Sequence, residues 1–286
     1  MSRTFKLGVA AIAAASVMTM APAVADSYGG GDRSRGDNLR VVGLAGNGTK
    51  LVRFDAGKPG YVRGSVTVRG LKGGDTRLIG IDYRVQDGKL YGVGNNAASA
   101  GVYSIDPSTG MATLFTRLTV ALSGSTFGVD FNPAANALRV VSDNGQNLRQ
   151  PLAVVPTATA TDVSLTYPPA TTPATGINGA AYTNNDLDPN TATTLYDLDT
   201  TLDQIAIQSP ANSGTLAATG KLGVDAAGDT GFDIYSTIRN GSTVDLMGFA
   251  AINGSLYEIT LFTGKATSRG KIGASVTDIA IPLNQL

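Results

Sequence analysis

From Asn38 onward the apolar residues come in short runs broken by Gly, Asn, Asp and Pro. Residues 78–118 read Leu-Ile-Gly-Ile-Asp-Tyr, Lys-Leu-Tyr-Gly-Val, Gly-Val-Tyr-Ser-Ile-Asp-Pro-Ser-Thr-Gly and Met-Ala-Thr-Leu-Phe, each a strand-length run. Residues 231–270 repeat that order, ending in Ser-Leu-Tyr-Glu-Ile-Thr-Leu-Phe-Thr-Gly and Lys-Ala-Thr-Ser. A sustained helical period of apolar residues appears nowhere, so the chain reads as all-β. Four-strand units recurring at about 40–50 residues predict the blades of a β-propeller.

Two positions set the period. An innermost strand recurs as Gly80-Ile-Asp82, Gly128-Val-Asp130, Gly179-Ala-Ala181, Gly231-Phe-Asp233 and Val276-Thr-Asp278, at spacings of 48, 51, 52 and 45 residues. A third strand recurs at Leu51, Val102, Leu148, Leu195 and Leu256. Five four-stranded blades are the expected count; six blades or a split β domain are the alternatives. The N-terminal unit, Leu39–Val68, lacks a first strand, whereas Val276–Ile281 lies beyond the last complete unit. Pairing this C-terminal strand into the N-terminal blade would close the ring and hide two edges. The recurrent Gly suits a crowded axis, where a missing side chain permits close backbone approach. The Pro- and Thr-rich residues 151–176 fit an outer strand near Asp162–Thr166 followed by a crossover loop.

The N-terminus has a different pattern. Arg3 and Lys6 precede a short apolar run that ends in Ala23-Val-Ala25. Residues 1–25 are thus expected to be a signal peptide, too short to span a membrane, that directs the chain to the periplasm or beyond. The Gly- and charge-rich residues 26–37 read as a flexible leader, and 38–286 as a single propeller domain, expected to be monomeric. Without Arg3 and Lys6, 20 Lys and Arg face 22 Asp and Glu. A surface so near neutrality gives no reason to expect nucleic acid or an anionic membrane as partner, and no later segment is apolar enough to span a bilayer.

Absences narrow the chemistry. The chain has no Cys, His or Trp. Thiol nucleophiles, disulfides, imidazole bases and His- or Cys-held metals are therefore excluded. What remains is oxygen chemistry. Asp82, Asp130, Asp233 and Asp278 occupy one repeat position and would form a carboxylate ring suited to Ca²⁺ or to a cationic ligand group. The competing role for each is to accept backbone N–H bonds from the next blade and lock the ring. Asn132, Arg139, Asp143, Asn144, Gln146, Asn147 and Arg149 form a dense polar set at the loops of one blade. They are candidates for binding an extracellular glycan, peptide or protein, with ordinary turn chemistry as the alternative. Asp186, Asp188, Asn190 and Asp197 imitate calcium-loop spacing, but Thr191 and Pro189 break the pattern. Glu258, the only Glu, falls on a third strand away from the axis, which weakens a carboxylate-based glycosidase or lactonase reading.

The runs Asp130-Phe-Asn-Pro, Leu138-Arg-Val-Val-Ser-Asp-Asn-Gly-Gln-Asn-Leu-Arg149, Ala181-Tyr-Thr-Asn-Asn185, Thr194-Leu-Tyr-Asp-Leu-Asp199 and Ser213-Gly-Thr-Leu216 carry a resemblance. Over residues 40–282 the chain resembles the bacterial secreted proteins of domain of unknown function 4394. The resemblance implies a secreted, propeller-like repeat domain and assigns no activity. A binding module is the expected function, with a hydrolase or a structural envelope component as alternatives.

Overall fold

The computed structural model describes residues 36–228 and 230–286. The expected signal peptide and nearly all of the expected leader lie outside them. Three strands open the chain: β1 (Arg40–Ala45), β2 (Lys50–Asp55) and β3 (Gly64–Thr67). The second blade is β4 (Leu78–Arg84), β5 (Lys89–Gly94), β6 (Gly101–Ile105) and β7 (Ala112–Arg117). The third is β8 (Phe127–Asn132), β9 (Ala137–Ser142), β10 (Asn147–Pro151) and the two-residue β11 (Ala160–Thr161). The fourth is β12 (Ile177–Tyr182), β13 (Leu195–Asp199), β14 (Gln204–Gln208) and β15 (Leu216–Lys221). The fifth is β16 (Gly231–Arg239), β17 (Ser242–Ile252), β18 (Ser255–Ile259) and β19 (Ala266–Lys271). The last strand, β20 (Val276–Ala280), pairs antiparallel with β1 and completes the first blade in the order β20-β1-β2-β3. Val42 faces Ala280, and Leu44 faces Asp278. Five four-stranded sheets and closure by the C-terminal strand are thus as the sequence predicts.

Burial follows the blade. Inner strands such as β12 are buried at every residue, whereas the outer strand β3 alternates half-buried and exposed positions. Both faces of an inner strand pack on a neighbouring blade, which is why these strands are buried at successive positions and lack the alternation of the outer ones. Five apolar clusters result, one at each joint. Phe54 and Val41 meet Phe249 and Tyr235 across the closing joint, and Val141 and Leu165 meet Ile177 and Leu195 between the third and fourth blades. Each fully buried Leu, Ile or Phe contributes about 1.5–3 kcal/mol.

The Gly positions act as expected. A Cβ on Gly128 would lie 2.7 Å from the Ala180 nitrogen, and one on Gly231 would lie 2.5 Å from the Ile279 nitrogen. No side chain fits there without moving backbone.

Two expectations are corrected. Leu195–Asp199 is the second strand of its blade, not the third; the third is β14. The connection from β12 to β13 takes up residues 183–194, so the repeat slips by one strand there. The outer strand of the third blade is shorter and earlier than residues 162–166. Only Thr161 and Ala160 pair with Leu148 and Arg149, and Thr166 instead bridges to Thr215 of the fourth blade.

Candidate functional site

The inner strands β4, β8, β12, β16 and β20 contact one another in cyclic order, and their repeat position gathers the Asp residues. The Ile81 N–H donates to Asp278 Oδ2 at 2.8 Å, from second blade to first. The Phe131 N–H of the third blade donates to Asp82 Oδ2 at 2.9 Å. The Tyr182 N–H of the fourth donates to Asp130 Oδ1 at 3.2 Å, and the Ile281 N–H donates to Asp233 Oδ2 at 2.6 Å. In Asp82, Asp233 and Asp278 the other oxygen accepts the N–H of the residue that follows it, at 2.6, 2.6 and 2.9 Å. One carboxylate thus staples its own strand to the next blade across four of the five joints.

At the fifth joint Ala181 holds the repeat position and different residues take over. The Asn185 N–H donates to Ser236 Oγ, and its amide donates to the Ile234 carbonyl. Asp186 Oδ2 accepts from the Thr243 N–H and hydroxyl at 2.9 and 2.6 Å, and Asp188 Oδ2 accepts from the Ser242 hydroxyl at 2.6 Å. The β12–β13 loop therefore clasps the β16–β17 hairpin.

Asp82, Asp130 and Asp233 are buried, and each offers an oxygen within 4.8 Å of the others. Burial pushes all three carboxyls up. The charge of Asp233 adds to the shift of Asp82, and the charges of Asp82 and Asp233 add to that of Asp130. Asp233, held down by its two N–H donors, rises only to about 6. A proton or a hard cation would relieve the repulsion, and three carboxylate oxygens are chemically suited to hold such a cation. At one end of the axis, between Arg77, Thr126, Asn178, Thr230 and Thr277, the free space is about 20 Å³. That is room for a water and not for a sugar ring.

The polar set of the third blade is divided between both ends of that blade and its interior. Asn132 caps the β8–β9 turn, accepting the Ala135 N–H at 2.8 Å. At the opposite end Asp143 accepts the Ser125 N–H, Asn144 donates to Ser123, and Gln146 bonds the Ser123 N–H and the Ala121 carbonyl. Arg139 is 1% exposed. Its guanidinium donates to Tyr182 Oη, Asn147 Oδ1, Asp162 Oδ2 and Asn212 Oδ1 at 2.6–3.2 Å. Arg149 pairs with the same Asp162. The buried Asn147 also donates to the Val163 and Ala211 carbonyls, tying the third blade to the fourth.

Asp197, the last member of the calcium-like spacing, lies fully buried on β13, and neither of its oxygens meets a donor. Burial raises its carboxyl well above the usual range, against the opposing pull of Arg139. Nothing in its local sequence distinguishes it from the surface Asp residues. Glu258 is on β18, paired with Arg269.

The family model for a domain of unknown function, DUF4394, matches residues 50–280. No curated protein matches the chain in sequence. Among solved structures, the nidogen/laminin complex matches with TM-score 0.49 at 9% identity, covering 87% of this chain and 99% of that one. A functionally unknown protein from Desulfotomaculum acetoxidans matches with TM-score 0.42 at 14% identity, covering 87% of each chain. TolB from Acinetobacter baumannii gives 0.40 at 13%, covering 87% of this chain and 68% of that one. Among the described residues no helix is long and apolar enough to cross a membrane.

Proposed function

Because the chain belongs to the family of the domain of unknown function DUF4394, which assigns no reaction, we propose a function from its own residues: an exported, non-catalytic binding module for an extracellular glycan, peptide or protein. Export is supported by the basic start, apolar run and small residues of positions 1–25. The observation that carries the binding reading is the use of the axial carboxylates. They bond backbone N–H groups of neighbouring blades. A hydrolase of this chemistry needs paired carboxyls free to face a substrate. Here they hold the scaffold together, and recognition is left to the loops.

A cation on the axis is a second reading. It is supported by the convergence of Asp82, Asp130 and Asp233, with Asp278 beside them on the ring; Ca²⁺ is the ion that such hard oxygens favour. Screening the exported protein on glycan and peptide arrays, alongside furanoside and lactone hydrolysis assays, tests the main reading. Retention without turnover is expected. Hydrolysis lost on Asp130→Asn would replace the module by an enzyme.

A further inference from the structure

Asp197 and Asp199 lie two residues apart on one face of β13, and only one of them has partners. Asp199 accepts the Tyr167 hydroxyl at 2.8 Å and the Thr201 and Leu202 N–H groups, each at 2.9 Å. Asp197 is fully buried, and neither of its oxygens meets a donor. Its cross-strand neighbours are Ala180 on β12 and Ala206 on β14, two methyl groups of the apolar cluster between the third and fourth blades. Gln208, on the same face of β14, donates its amide N–H to the Ala211 carbonyl and leaves its own Oε1 without a donor. Three acceptor oxygens therefore stand in one joint with no hydrogen to share. A bare carboxylate is costly in such a place, whereas a proton on Asp197 removes the charge and adds a donor.

The cation whose charge acts on Asp197 is Arg139 of β9, and its hydrogen bonds go elsewhere. The guanidinium donates to Asn147 and Asp162 of its own blade and to Tyr182 and Asn212 of the fourth. Asp162 has a second partner in Arg149, so it is not stranded when Arg139 turns away. The other titratable groups on this face are Tyr182 of β12, Asp199 of β13 and the Tyr167 that Asp199 holds; β14 presents none. We propose that Asp197 is the proton switch of the third–fourth joint: as the neutral acid it leaves Arg139 to bind the two blades together, and as the carboxylate it draws the guanidinium away from Asp162 and Asn212. The step is an acid dissociation, with the proton passing to solvent water. Burial raises the Asp197 carboxyl well above the usual range, against the pull of Arg139 and with the help of Asp199. The folded chain thus keeps a proton that the unfolded chain has released. The stability tied to it is complete below about pH 4 and is lost as pH rises through the folded value, where the joint loosens. The switch is independent of the binding-module reading.

The test follows two signals in the folded protein from about pH 5 to about pH 10. The side-chain carboxyl carbon of Asp197, assigned through its own backbone, reports its charge. Amide exchange of residues 160–166 and 211–214, corrected for the intrinsic effect of pH, reports the contacts that Arg139 holds. The Asp197 carbon is expected to stay that of a neutral acid where surface Asp carbons are ionised, and then to titrate in one step. Protection of the two segments should fall about tenfold through the same step. Asp197→Asn keeps the shape but cannot ionise, and should hold that protection level across the range. Asp130→Asn, which removes an axial carboxyl, should leave the step in place. An Asp197 carbon already ionised at the acid end, or one that stays neutral throughout, would overturn the switch. So would protection lost at a different pH from the Asp197 titration, lost equally in Asp197→Asn, or no longer pH-dependent in Asp130→Asn.

Discussion

Asp278, on the last strand of the chain, accepts the N–H of Ile81 in the second blade at 2.8 Å, across 197 positions of sequence. The bond couples ring closure to the neighbouring joint, because the same strand pairs with β1 and is followed by Ile281, whose N–H reaches Asp233. Deleting residues 275–286 removes two of the four carboxylate staples and the buried Val276, Ile279 and Ile281. At about 1–3 kcal/mol per stranded polar group and about 1.5–3 kcal/mol per apolar side chain, the loss rivals the whole stability of a domain. The truncated chain is expected to aggregate or to melt far below the full one. A melting curve within a few degrees of the intact protein would contradict this.

Arg139 gives a second prediction. Four acceptors from two blades converge on one guanidinium with almost no access to water. Arg139→Met leaves Asp162 without that partner and should cost about 3–5 kcal/mol, as when one member of a buried ion pair is removed. Arg139→Lys should recover only part of this, since a point-like ammonium cannot serve all four directions. Denaturant unfolding of the two variants checks both values; a loss under about 1 kcal/mol for Arg139→Met would mean that the network contributes little net stability.

The contrast between Asp278 and Arg139 shows what was legible in the sequence. A Gly-x-Asp recurring at one spacing reveals a strand, its rank and its crowding, because each is a periodic property of the backbone. The missing first strand of one end and the spare strand of the other were legible for the same reason. The direction of a polar side chain has no period. Arg139 and Asn147 looked like neighbours of Asp143 and Asn144 on a surface, yet the first pair points into a joint and the second into a turn. The run Leu195-Tyr-Asp-Leu-Asp matched the third strands by composition, and only its pairing with both β12 and β14 reveals its rank.

The axial carboxyls predict a pH dependence. Burial raises Asp82, Asp130 and Asp233 above their unfolded values, so the folded chain keeps protons that the unfolded chain has released. Their stabilising contribution is complete below about pH 4, the unfolded carboxylate range, and is lost as pH rises through the folded values. For Asp233 the window runs from about pH 4 to about 6. Asp130→Asn keeps an acceptor for Tyr182 but removes one charge. It is expected to flatten the fall in melting temperature between pH 4 and 7.5, and to raise stability at the upper end. Parallel slopes for variant and wild type would show that the Asp130 carboxyl is not raised by its burial and its neighbours in the fold.

Whether a cation has any share in that relief is decided by calcium itself. A bound ion would stabilise by about RT ln(1 + [L]/Kd), or ~2.7 kcal/mol at a hundredfold excess over Kd. Chelator would reverse the gain, and Asp130→Asn would abolish it. The hydrogen bonds argue for the opposite result. Both oxygens of Asp82 and of Asp233 already accept backbone N–H groups. Ala181 also breaks the ring where a symmetric cage would need its fifth ligand. We therefore expect the melting curve at pH 7.5 to be the same in saturating calcium and in chelator. Asp82→Ala should then cost about 1–3 kcal/mol in both solutions, for the Tyr83 and Phe131 N–H groups that it strands. A calcium-dependent rise that Asp130→Asn removes would instead make the axis a metal site, and Asp82, Asp130 and Asp233 its ligands as well as its staples.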